Sequence, residues 1–205
     1  MEQGSKPTIL VLMGGFWPGH EATGPNQSLR QQCIALAGDF DFRILARDRA
    51  FDAAGPAAPT GRWIDLGYAR VRYCFARPMG AERLTRIISE TPHDVLAMNG
   101  FYDRDFTIPA VMARRAARVP HRPAILSTRG EMARGALGLK SGKKSAYRQL
   151  ARVLGLVRDV WMHVTGPGEA ADVQRELPFA RGVITAPVVR SLVGVPAEVA
   201  ARRAG

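Results

Sequence analysis

The residue types best suited to chemistry fall at the ends of apolar runs. Ser127-Thr128-Arg129-Gly130-Glu131 closes one such run, and Gly138-Leu139-Lys140-Ser141-Gly142-Lys143-Lys144 leads into a helical pattern shortly after. A strand end, a glycine-rich polar loop and a basic helix start make a place for an anionic or polyhydroxylated ligand. Lys140, Lys143 and Lys144 sit where a helix dipole disfavours cations, so local helix preference does not ask for them. They read either as part of an anion site or as a solvated basic face. Glu131 either pairs with Arg129 or Arg134, or it accepts a substrate hydroxyl and serves as a base.

Three further strand ends carry candidates. Gly14-Gly15-Phe16-Trp17-Pro18-Gly19-His20 follows the first apolar run. Two glycines there let a backbone approach a ligand closely, and the alternative is a turn plugged by Phe16 and Trp17. His20 is a candidate proton carrier or an ordinary surface histidine. Asn99-Gly100 ends another run, and His163-Val164-Thr165 ends a third, with Glu169 six residues beyond His163. His163 is a second candidate acid or base; for Glu169 the dipole of the helix it opens is explanation enough. A dinucleotide fingerprint, a P-loop and a nucleophile elbow are all missing from the sequence. Four scattered histidines and two cysteines make no metal-ligand pattern, so no bound metal is expected.

These candidates must be held by the elements between them. Apolar runs at 8–13, 42–46, 71–75, 94–99, 124–127, 160–164 and 182–186 read as strands. Helical patterns at 25–37, 81–89, 106–119, 145–157 and 168–177 alternate with them, and 196–203 suits a short terminal helix. Residues 50–61, with two prolines and two glycines, read as loop. Such alternation predicts an α/β, Rossmann-like doubly wound sheet of about seven mainly parallel strands, covered on both faces. In such sheets ligands bind beyond the carboxyl ends of the strands, and the four polar segments all fall at those ends.

The chain has 205 residues, enough for one domain with a sizeable core. Residues 1–188 read as that domain and 189–205 as a tail or the start of an interdomain connection. Its net charge of +11 is local: residues 113–158 hold twelve of the 29 basic residues and one acid, Glu131. Cys33 and Cys74 sit in apolar patterns and read as reduced core thiols. With no signal-peptide pattern and no long apolar span, a cytoplasmic protein is expected. The basic segment still admits peripheral contact with the anionic inner face of a membrane. Nucleic acid suits it less well, because aromatic residues barely interleave with the basic ones.

In order and spacing the motifs resemble the N-terminal half of GT-B glycosyltransferases of the glycosyltransferase family 4-like type. The likeness runs from Gly14-Gly15 through Pro18-Gly19-His20-Glu21-Ala22-Thr23-Gly24-Pro25-Asn26-Gln27-Ser28-Leu29, Arg47-Asp48-Arg49 and Pro92-His93-Asp94-Val95. It continues through Arg129-Gly130-Glu131, Gly135-Ala136-Leu137, Lys140, Lys143, Lys144, His163-Val164-Thr165, Glu169-Ala170 and Thr185-Ala186-Pro187. The resemblance implies the acceptor-side half of an enzyme that moves a sugar from a nucleotide sugar to a saccharide or lipid-linked acceptor. It implies no bound cofactor, the nucleotide sugar being a co-substrate held mainly by a donor half. After Pro187 the sequence leaves the family pattern, so that half is expected to be absent or supplied by a separate chain. His20, Glu131 and His163 would be catalytic, and Gly14, Gly15, Asn26, Asn99, Arg129, Lys140 and Lys144 would bind substrate. The alternative is a non-catalytic basic module for a phosphorylated glycan, an anionic membrane surface or nucleic acid.

Overall fold

The computed structural model describes residues 5–19, 23–49, 54–74, 80–133, 135–136 and 141–188. His20, Arg134, Lys140 and the expected helix at 196–203 lie outside the described residues.

Eight strands form one open sheet: β1 (Thr8–Met13), β2 (Asp41–Arg47), β3 (Trp63–Asp65), β4 (Arg70–Cys74), β5 (Val95–Asn99), β6 (Ala124–Ser127), β7 (Val160–Val164) and β8 (Gly182–Thr185). Their order is β3-β4-β2-β1-β5-β6-β7-β8, and every pairing is parallel except β3 with β4. Five helices are described: α1 (Gly24–Leu36), α2 (Ala81–Glu90), α3 (Thr107–Arg115), α4 (Ser141–Leu154) and α5 (Pro167–Glu176). This is the expected Rossmann-like α/β fold, with one strand more than the sequence pattern shows. The extra strand, β3, has three residues between Gly61 and Gly67, both at positive φ. It folds back on β4 through a turn in which Gly67 N–H donates to Asp65 Oδ1 at 2.7 Å. Three residues are too few to show a period of two, so the segment reads as loop.

The chain starts at the centre of the sheet, grows outward through β2 and β4, then returns to add β5 to β8 on the other side of β1. Right-handed crossovers put the helices of the two growth directions on opposite faces. Accordingly α1 packs Leu29 and Cys33 into one core with Val11, Ile44 and Val71. Helices α2 to α5 pack into a second core with Leu10, Leu12, Leu96, Leu126 and Met162. The expected cover on both faces is therefore uneven. On the α1 face, Ala97, Ile125 and Trp161 are only partly buried, whereas their neighbours on the opposite face are fully buried. Both cysteines are buried thiols, and burial pushes Cys33 up to about 12 and Cys74 to about 11. Among the described residues no helix is long and apolar enough to cross a membrane.

The sequence direction reverses between β1 and β5, so the switch point of the sheet lies between Gly14 and Asn99. Sheets of this kind open a crevice there.

Candidate functional site

Registry brings the candidate segments to one rim. Asn99 pairs with Ser127, and Ser127 with His163, so the loops after β5, β6 and β7 leave the sheet side by side. Gly14 follows β1 directly beside them. A side chain at Gly14 would fall on the Arg47 guanidinium and the Asp103 carboxylate. Gly14 is thus required by the protein's own packing. Arg47 Nε donates to the Gly14 carbonyl at 2.6 Å, and its Nη1 donates to Asp105 at 2.8 Å. Asp103 lies 3.7 Å from the same guanidinium and accepts the N–H groups of Asp105 and Phe106, just ahead of α3. Burial raises its carboxyl above the ordinary range, and Arg47 offsets part of that rise.

The β1 loop is pinned in two places. Buried Asn26 accepts the Trp17 N–H at 2.8 Å, and the Tyr73 hydroxyl accepts the Gly19 N–H at 3.0 Å. Asn26, expected to touch substrate, here holds the loop shape. Phe16 is fully buried and Trp17 is exposed, so only one of the two aromatics plugs the turn.

The loop after β6 carries the most unusual backbone. Arg129 (φ 53°) and Gly130 (φ 76°) are both left-handed. For arginine that costs roughly 1–2 kcal/mol, which neighbouring bonds must offset. Glu169, in the first turn of α5, supplies them. One of its oxygens accepts the Thr128 hydroxyl at 2.8 Å and the Gly130 N–H at 2.6 Å. The other accepts the Thr165 N–H at 2.8 Å and its hydroxyl at 3.0 Å. Burial would raise this carboxyl, but the N–H and O–H donors outweigh it and hold it below the ordinary range. The sequence explains Glu169 as a dipole partner; its larger part is to clamp two strand-end loops together.

Arg129 and Glu131 do not pair with each other. Arg129 donates twice to Asn99 Oδ1, at 2.8 and 3.1 Å. Glu131 turns away beneath the loop after β5 and accepts the Phe101 N–H at 2.5 Å. Burial raises its carboxyl, against the pull of the Phe101 and Tyr102 N–H groups and of Lys144. Lys144 donates to the Ala136 carbonyl at 2.5 Å and lies 5.2 Å from the centre of the Tyr102 ring. Glu131, Asp103, Gly100 and Lys144 therefore form one group near the switch point. Gly15 follows Gly14 at the same rim and is partly exposed.

His163 lies lower. Its Nδ1 is 2.8 Å from the Ser127 hydroxyl, and its Nε2 is 3.0 Å from the Ala186 carbonyl. A carbonyl can only accept, so Nε2 carries a proton; Ser127, whose hydroxyl can donate or accept, pairs with Nδ1. The ring braces β7 between β6 and the end of β8, with both nitrogens in use.

A cleft of about 480 Å³ opens on this rim, lined by Pro25, Arg129, Gly130, Thr165, Glu169 and Asp172 among others. Its volume lies within the usual small-ligand range. It offers a guanidinium, a hydroxyl and two carboxylates, the groups that hold sugar hydroxyls or a phosphate. Glu131 and His163 do not line it. Asp103 and Asp172 are rim residues that sequence reasoning passed over, whereas Arg47 and Thr165 enter the sequence reading only as members of longer motifs. The only trace of Asp103 is the charge-dense Asp103-Arg104-Asp105 after a strand end. Among the described residues no three His, Cys, Asp or Glu side chains converge as a metal site.

The basic segment does not collect at this rim. Arg114, Arg115, Arg118 and Arg122 precede β6, and Arg158 precedes β7, so they lie at the amino ends of the strands. Lys143 and Lys144 start α4 at the rim, and Arg152 ends it at the other side. No protein-family model matches this chain, and no curated protein sequence matches it either.

Proposed function

We propose that this domain is the acceptor-binding half of a glycosyltransferase, in which a saccharide or lipid-linked acceptor occupies the rim cleft. The observation that carries the reading is a sugar-sized cleft at the carboxyl ends of β6 and β7 that presents Arg129, Thr165, Glu169 and Asp172. Arg129 and Thr165 would hold hydroxyls or a phosphate, and Asp172 would accept a hydroxyl hydrogen bond. Glu131 and Asp103, raised by burial, are the groups able to carry a proton near the switch point. Nucleotide-sugar binding would fall to a second Rossmann-like unit facing this rim. Catalysis then depends on the two units being held together.

The test is saturation-transfer NMR on the chain with a panel of octyl glycosides and short neutral and phosphorylated oligosaccharides. At least one should bind, and Arg129→Ala or Asp172→Asn should weaken it about tenfold, the loss of one or two hydrogen bonds. Absence of binding across the panel, or binding indifferent to both substitutions, removes the cleft from this role. A non-catalytic reading, as a module for anionic ligands, draws on exposed cations elsewhere on the molecule.

A further inference from the structure

The outward face of α4 has no partner among the described residues. Tyr147 and Ala151 point into the core, while Leu150, Val153 and Leu154 are 46%, 79% and 41% exposed. Those three are neighbours on one helix face, and Ala146 extends the stripe toward the rim. Single exposed apolar residues are ordinary, but a helical stripe ending in an almost fully exposed valine is not.

Cations surround the stripe. Lys143 lies at its head and is exposed. At its foot a hollow of about 460 Å³ is lined by Arg115, His121, Val153, Leu154, Arg158 and Asp159, among others. Arg115 is fixed there by donating to the Leu154 carbonyl at 2.8 Å, and Met112, one turn earlier on α3, is 47% exposed. The only acid among the described residues that line the hollow, Asp159, is engaged by buried Arg114 at 2.6 Å and by His121 at 2.9 Å. Among the described residues no carboxylate pairs with Lys143, Arg115, Arg152 or Arg158.

We propose that this face of α4, with the end of α3, docks on the surface of an anionic lipid bilayer. Leu150, Val153 and Leu154 would enter the headgroup–acyl boundary, and Lys143, Arg115 and Arg158 would meet lipid phosphates. The chemistry matches an interfacial helix: an apolar stripe, cations along its border and no free acid beside it. Nucleic acid fits less well, since it would leave the aliphatic stripe in water and find no aromatic platform. The inference does not rest on glycan binding in the rim cleft, whose lining includes none of Leu150, Val153, Leu154, Arg115 or Arg158.

Vesicle flotation tests it, using phosphatidylcholine alone and phosphatidylcholine mixed with phosphatidylglycerol. The chain should float only with the anionic vesicles, and added salt should weaken this. The double variant Leu150→Ser, Val153→Ser keeps every charge and should lower partitioning about tenfold. Lys143→Gln and Arg158→Gln should lower it about fivefold each. Arg62→Gln, an exposed cation beside β3, should change nothing. All these side chains are exposed, so unchanged thermal midpoints show that the fold is intact. A nitroxide on Val153→Cys should report burial in the bilayer, since buried Cys33 and Cys74 do not compete for the label. No flotation, equal loss with Arg62→Gln, or a label that stays in water would overturn the proposal. A stripe variant that abolishes self-association while leaving flotation unchanged would assign the face to a second protein instead.

Discussion

Glu169 shows how much one side chain can organise at this rim. A single carboxylate accepts four bonds from Thr128, Gly130 and Thr165, and so keeps Arg129 in a left-handed conformation it would not otherwise adopt. Its pKa is held below the ordinary 4.5 in the folded state. The folded chain therefore binds this proton less readily than the unfolded chain. The resulting stability is fully present above the ordinary value and is lost as pH falls through the depressed one. Glu169→Ala should cost about 2 kcal/mol at neutral pH, since charge-assisted bonds are lost and Gly130 N–H is left without an acceptor. The gap between wild type and variant should close below the ordinary glutamate range. Thermal unfolding as a function of pH measures both. A gap that stays constant into acid would mean that shape rather than charge holds the loop. Glu131 and Asp103 have the opposite sign. Raised by burial, they favour the folded state most when protonated, and that contribution fades as pH rises through their folded values.

At the scale of elements, the candidates separate according to which strand end they follow. Gly14, Asn99 and Arg129 were legible as rim residues because glycine or a polar residue ended an apolar run. Their partners were not legible. Arg47 reaches Gly14 across 33 positions, and Glu169 reaches Gly130 across 39. No local pattern encodes such pairings. The edge strand β3 was missed for a different reason. It is short, partly exposed and paired on one side only. Its amides should accordingly exchange with solvent far faster than those of β1 and β5, which are bonded on both sides. Hydrogen exchange followed by NMR checks this; equal protection would mean that β3 has cover beyond its pairing with β4.

At the scale of the whole molecule, β1 joins the two cores. Leu10 and Leu12 enter the core of α2 to α5, and Val11 and Met13 enter the core of α1. Because alternate residues of one strand serve both sides, the cores should unfold together. Circular dichroism and tryptophan fluorescence should report coincident transitions. Leu12→Ala should lower stability by about 2–5 kcal/mol, the range for a buried leucine, and shift both probes equally. Divergence of the two probes would mean that the halves melt separately.

The alternation of apolar runs with helical periodicity determined the Rossmann-like class, the strand ends and the glycine-marked loops, because those features depend on residues near one another in the chain. Sequence also showed that the charge excess is confined to residues 113–158. Where that charge ends up was decided only by tertiary structure. Each crossover carries the chain from one end of the sheet to the other, so neighbouring basic residues part company. Arg129 and Lys144 remain at the carboxyl-end rim, while Arg115 and Arg158 gather beside Leu154 at the far end. The fold likewise decided that Glu131 lies under the β5 loop, that His163 braces β7, and that the described residues leave one face of α4 open. These are consequences of which segments pack together, and packing between distant segments is set by the topology of the sheet rather than by any run of residues along it.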